Sequence, residues 1–221
     1  MERASAEAYV LTAYRALLAR EPPELERDDW VATLLEGTAP DAVRDAILGS
    51  DQCIERRRII AHREAIARTG LFDRSWYLAT YSDVAAVGID ALEHDARFGR
   101  LEGRRPSPYF DDAWYRALAQ IPSRTDALLD YAERGEPSGI APGPNFDPVW
   151  YRDFYQLAPG ISPLAHFLTR KATGRFVPTH WLWSVSCAPG DVDAPPDADP
   201  FLPHLIATRT PIRAPRATWR C

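Results

Sequence analysis

The chain has 221 residues, 46% of them hydrophobic, with 26 basic against 31 acidic side chains and a net charge of −5. That is enough apolar material for one or two packed cores, and too little basic charge for a general nucleic-acid or anionic-membrane footprint. Cys53, Cys187 and Cys221 share no metal-ligand spacing and, being odd in number, argue against a disulfide framework.

No apolar run approaches the roughly eighteen residues that a membrane span requires, so no span is predicted. Residues 1–10 carry Glu2, Arg3 and Glu7 and no apolar core of signal-peptide length, which makes a reduced, cytoplasmic protein the expectation. One lysine, Lys171, and one asparagine, Asn145, stand against many arginines and alanines, as in the coding of a GC-rich bacterium.

Residues 1–68 are predicted to form a small helical domain. Tyr9, Val10, Ala13, Tyr14, Leu17 and Leu18 fall at three-and-four spacing and predict a helix that ends before Pro22-Pro23. Trp30, Val31, Leu34 and Leu35 predict a second helix, ending at Gly37. Val43, Ala46 and Ile47 predict a third, after Pro40-Asp41, and Ile54 to Ala67 a longer, arginine-rich fourth. Their shared core is expected around Tyr14, Leu18, Trp30, Leu34 and Ile47, with Cys53 buried.

The run Tyr14-Arg15-Ala16-Leu17-Leu18-Ala19-Arg20-Glu21-Pro22, with Trp30, Leu34, Gly37, Val43, Ile47 and Ser50-Asp51, resembles a phycobilisome-linker-like bacterial domain of unknown function. Such domains occur in exported and polysaccharide-related proteins. The usual pattern has glycine where Ala19 stands, and an aspartate-glycine turn where Pro23-Glu24-Leu25 stands.

Residues 69–183 repeat themselves. Phe-Asp-x-x-Trp-Tyr occurs at Phe72, Asp73, Trp76 and Tyr77, at Phe110, Asp111, Trp114 and Tyr115, and at Phe146, Asp147, Trp150 and Tyr151, about 36 to 38 residues apart. Later landmarks keep the register: Asp90-Ala91-Leu92, Asp126-Ala127-Leu128 and Ser162-Pro163-Leu164, then Gly103 to Pro106, Gly139 to Pro142 and Gly174 to Pro178. A period of this length marks stacked supersecondary units, and a short α-solenoid-like array of helix pairs is predicted. Each motif aspartate is expected to cap a helix, while Phe and Tyr close a hydrophobic staple around it. Asp90, Asp126 and Ser162 are expected to cap a second helix per unit, ended by Gly99, by Gly135 and, in the third unit, nearer Gly174.

Phe72-Asp73-x-x-Trp76-Tyr77-Leu78-x-x-Tyr81-x-Asp83-Val84, followed by Gly88, Leu92, His94, Gly99 and Glu102-Gly103-Arg104-x-Pro106, resembles tandem repeats that accompany bacterial glycosyltransferases and other surface-polysaccharide proteins. The second copy lacks the Tyr-x-Asp-Val segment and has Ala119-Gln120-Ile121 instead. The resemblance implies a place in surface-polysaccharide biosynthesis and transfers no catalytic residue.

Residues 184–221 carry seven prolines from Pro189 to Pro215, an acidic stretch and then a basic one, and are predicted to be disordered. Leu182-Trp183-Ser184 stands where a fourth Phe-Asp should open, and the pattern then collapses. An off-frame reading of a GC-rich gene would produce such a tail.

No catalytic, metal-binding or cofactor-binding set is legible. The motif aspartates are explained as caps, and His94 and His166 as core histidines at equivalent positions of the first and third repeats. Arg56-Arg57-Arg58 reads as a solvated face. Trp76, Trp114 and Trp150 read as staples and core, with a row of sugar-stacking platforms as the competing assignment. The expected function is therefore an all-α, non-catalytic interaction or scaffold module, with protein partners or, in relatives, a covalently linked glycosyltransferase domain. The alternatives are a fragment of a multidomain glycosyltransferase and a carbohydrate-binding module that holds polysaccharide on its aromatics.

Overall fold

The computed structural model describes residues 1–99, 101–173, 176–180, 199 and 201. Among them are eleven α-helices and no strand, so the protein is all-α. Among the described residues no helix is long and apolar enough to cross a membrane. The chain divides into two compact units, Met1–His62 and Arg63–Cys221.

The first unit holds α1 (Arg3–Leu18), α2 (Glu24–Leu35), α3 (Pro40–Leu48) and the start of α4 (Asp51–Thr69). Its core is the set that the helical period selects: Ala6, Val10, Tyr14, Leu18, Val31, Leu34, Val43, Ile47 and Cys53 are all buried. Trp30 is only partly buried, and its indole N–H donates to the Tyr14 hydroxyl at 2.9 Å. That hydroxyl in turn donates to Glu26 at 3.1 Å, which satisfies a polar group at the edge of an aliphatic core. Ala19 ends α1 in the left-handed region at φ 51°, where glycine would stand without strain.

The second unit begins six residues before residue 69, because Ile66 on the last turns of α4 packs into the core of the repeats. Each repeat opens on a capped helix: α5 (Arg74–Thr80), α8 (Asp112–Ala119) and α10 (Pro148–Phe154). Asp73, Asp111 and Asp147 accept the amide hydrogens of Trp76, Trp114 and Trp150 at 3.1, 3.0 and 2.9 Å. The Phe and Tyr rings that bracket each cap lie 5.0, 5.9 and 5.3 Å apart between centroids. The Tyr-x-Asp-Val segment of the first repeat forms an extra helix, α6 (Ser82–Val87).

A second capped helix follows in each repeat, α7 (Ala91–His94), α9 (Ala127–Asp130) and α11 (Pro163–Leu168), with Asp90, Asp126 and Ser162 accepting from the third residue on. Here two sequence expectations need correction. Gly99 and Gly135 do not stop the helices as left-handed caps; they lie within π-helical turns, Asp95–Gly99 and Tyr131–Gly135. A Cβ on Gly135 would press on the Tyr115 ring, with Cε2 at 2.6 Å, and one on Gly99 would meet Asp95 and the Tyr77 hydroxyl. These glycines are small because the repeat tyrosine passes over them. In the third repeat the helix does not run on towards Gly174, but stops at Leu168 before a short 3₁₀ turn, Lys171–Thr173.

The later landmark also acquires a role. The amide of Asp73 donates to the Pro106 carbonyl at 2.9 Å, that of Asp111 to Pro142 at 2.9 Å and that of Asp147 to Pro178 at 3.2 Å. Every repeat is thus a loop tied at its ends by one backbone bond. Gly103 and Gly139, at φ 66° and 74°, turn the chain back towards that tie. In the first and third repeats a second tie holds the residue before the proline: Arg105 N–H donates to the Tyr81 hydroxyl and Val177 N–H to the Tyr155 hydroxyl. The second repeat has Ala119 at that position and lacks the bond.

An open solenoid brings only neighbouring units together. Here the first and third repeats also meet: Lys171 pairs with Asp73, and a Cβ on Gly70 would stand 3.2 Å from that of Ala165. The array is closed at its ends.

Candidate functional site

The repeated tyrosines Tyr77, Tyr115 and Tyr151 are fully buried, and each hydroxyl needs a partner. The partner comes from the fourth residue after the second cap. Tyr77 is bonded to His94 Nδ1 at 3.0 Å, Tyr115 donates to Asp130 at 2.5 Å, and Tyr151 is bonded to His166 Nδ1 at 2.9 Å. His94 in the first repeat and His166 in the third are therefore structural, with Asp130 in their place in the second, and serve to lock the first helix of the unit to the second. Burial raises the pKa of all three tyrosines, and burial together with the Arg170 charge lowers that of His166, so this pair stays neutral around pH 7.

The second repeat grips the third through Glu136, a buried acid that accepts from the Tyr131 hydroxyl at 3.1 Å and from the amide of Leu164 at 3.0 Å. Leu164 N–H is one of the orphan donors at the start of α11. The first repeat turns Asp95 inward at the place where Tyr131 and Phe167 stand in the others. Burial, and then the Asp126 charge, push its carboxyl up to about 7.

A further buried polar cluster lies where the first and third repeats meet. Lys171 replaces the glycine of the other two repeats, and its ammonium is paired with Asp73 and, at 3.3 Å, with Asp199. The side chains of Lys171, Asp73 and Asp199 are only 9%, 8% and 4% exposed. Asp199 also accepts from the Tyr109 hydroxyl at 2.9 Å and from the amide of Phe201 at 3.0 Å. Burial and the Asp199 charge hold the Tyr109 pKa well above its usual value, so it remains a donor. Phe201 is buried beside Phe167, 6.1 Å between centroids. At these two positions the tail is packed; the rest of 184–221, on which the predicted disorder falls, lies outside the described residues, as does Leu182-Trp183-Ser184.

The tryptophans occupy three different settings. Trp76 packs edge-on against Tyr81 at 6.0 Å, within its own repeat. Trp114 has its indole nitrogen buried with no hydrogen-bond partner among the described residues. Trp150 stacks on Phe154 at 4.8 Å, with His180 edge-on at 6.4 Å, and Phe154 is 46% exposed. The row of equivalent platforms was the competing assignment; among the described residues, a stacked tryptophan pair with a partly exposed ring occurs in the third repeat. Lys171, Asp199 and the Tyr–His/Asp bonds were not assigned from sequence. A single lysine at a glycine position and the constant cap-plus-four spacing were the available signals. Comparison with family models, curated proteins and solved structures yields no significant match to the chain.

Proposed function

We propose that the protein is a non-catalytic interaction or scaffold module of bacterial surface-polysaccharide biosynthesis, acting in the cytoplasm beside, or in relatives joined to, a glycosyltransferase. One observation carries the non-catalytic part: the repeated acids, histidines and tyrosines, the groups that acid–base chemistry would need, are engaged in tying each repeat together. The interaction part is supported by apolar side chains left open on the repeats, among them Val87 and Leu101, each 79% exposed, and Phe98. The polysaccharide setting comes from the resemblance of the repeats alone.

Purified protein should neither hydrolyse nor transfer from sugar nucleotides, with or without divalent metal, and should be captured by a polysaccharide-assembly glycosyltransferase co-expressed with it. Leu101→Asp should weaken that capture. Turnover abolished by one substitution within residues 70–180 would overturn the function proposed.

A second function, carbohydrate binding, is favoured by the Trp150–Phe154 stack, since a half-open aromatic pair suits the apolar face of a sugar ring. Calorimetry against neutral and acidic oligosaccharides decides it: saturable binding that Trp150→Ala removes without loss of helicity would promote this alternative.

A further inference from the structure

The cluster around Lys171 has the makings of a recognition site, and the chain's own tail fills it. Tyr109, Phe167 and Lys171 face two residues, Asp199 and Phe201, that lie far along the chain from Tyr109 and are separated from one another by a single residue. The carboxylate of Asp199 takes three donors: the Tyr109 hydroxyl, the Lys171 ammonium and the Phe201 amide. The Phe201 ring joins the aromatic core beside Phe167 and is 2% exposed. A buried charge-assisted anchor beside a buried aromatic anchor is how short peptides are held, the first giving specificity and the second affinity. Lys171 is moreover the chain's one lysine, placed where the other repeats carry glycine, so the third repeat departs from the repeat pattern at the residue that makes this contact.

We infer that the Tyr109–Phe167–Lys171 face is a docking site for an acidic–aromatic Asp-x-Phe peptide, occupied in cis by Asp199 and Phe201. The inference rests on the interaction-module function and names its ligand class: a partner carrying the same pair of anchors would enter by displacing the tail. The contact with Asp73 holds the Lys171 side chain in place when the site is open.

The test uses the full chain and a fluorescent peptide of residues 195–205. Asp199→Ala/Phe201→Ala should lower the melting temperature by several degrees while preserving helicity. That variant should bind the peptide saturably and at least tenfold more tightly than the wild type, whose site is filled. A peptide carrying the same two substitutions should not bind. An unchanged melting temperature, or peptide binding no tighter to the variant than to the wild type, would overturn the docking site. A wild-type dimer that the double variant turns into monomer would instead show the segment exchanged between copies, and would overturn occupation in cis. Sugar-nucleotide turnover would remove the interaction-module function without altering any of these peptide results.

Discussion

The two units solve the same problem, making short stretches of helix stable, by different means. In Met1–His62 the helices α1, α2 and α3 run for 16, 12 and 9 residues, and none has a side-chain cap. Their stability comes from an aliphatic stripe buried against the neighbouring helices. In the repeats, α5, α7, α8, α9, α10 and α11 have only 4 to 8 residues, and every one is capped by an Asp or Ser side chain. A helix of one or two turns leaves most of its backbone donors unpaired, so the cap satisfies a large share of them. The cores differ correspondingly. Aromatic rings fill the repeats, and the Tyr115 hydroxyl takes a buried acid, Asp130, as its partner, whereas the Tyr14 hydroxyl of the aliphatic unit meets the partly exposed Glu26 at the edge of its core.

The largest effect expected from this difference concerns Asp95, a buried acid with no counterpart in the first unit's core. Its carboxyl lies at about 7 against 3.8 unperturbed, raised first by burial and then by Asp126. The folded state therefore binds the proton more tightly, and the repeat unit loses stability as pH rises from about 4 to 7, by up to roughly 4 kcal/mol. Asp95→Asn should remove that slope, matching the wild type near pH 4 and exceeding it at pH 8 in denaturant melts. An unaltered pH profile would show that Asp95 is ionised in the fold.

Next comes the glycine under Tyr115. Gly135→Ala should destabilise the repeats by about 3 kcal/mol, since the new methyl group would lie inside the tyrosine ring's contact distance. In the first unit, Gly49→Ala meets only ordinary contacts from 3.4 Å outward, and a change below about 0.5 kcal/mol is expected. Equal losses at the two sites would refute the crowding argument.

Caps provide a smaller, two-sided test. Asp111→Ala should cost about 1 kcal/mol, whereas Ala39→Asp, at the uncapped start of α3, should add about 1 kcal/mol. Smallest is Ala19→Gly, expected to stabilise the first unit by somewhat under 1 kcal/mol, because relief of the left-handed strain is partly offset by the greater freedom of the unfolded chain. Urea titrations of each variant read both effects.

What depends on near neighbours in the chain was legible before any coordinates. A cap accepts from an amide three residues on, and a staple spans five positions, so Asp111 with Trp114, and Phe110 with Tyr115, are contacts that the motif itself spells out. The four helices of the first unit follow from apolar period in the same way. The helix-stop roles of Gly99 and Gly135 could not be judged on that scale, because what requires a missing side chain there is a tyrosine some twenty residues earlier in the sequence. The ties from Asp73 to Pro106, from Asp111 to Pro142 and from Asp147 to Pro178 are likewise bonds between distant peptides. Sequence by itself thus determined the helical class, the repeat and its local caps, which arise from contacts within a turn or two. Only the tertiary structure decided that the array closes on itself, that Lys171 sits buried between two aspartates, and that Asp199 and Phe201 belong to the fold. Those features join residues whose separation along the chain leaves no periodic trace, and their stability depends on burial that exists only once the repeats have packed.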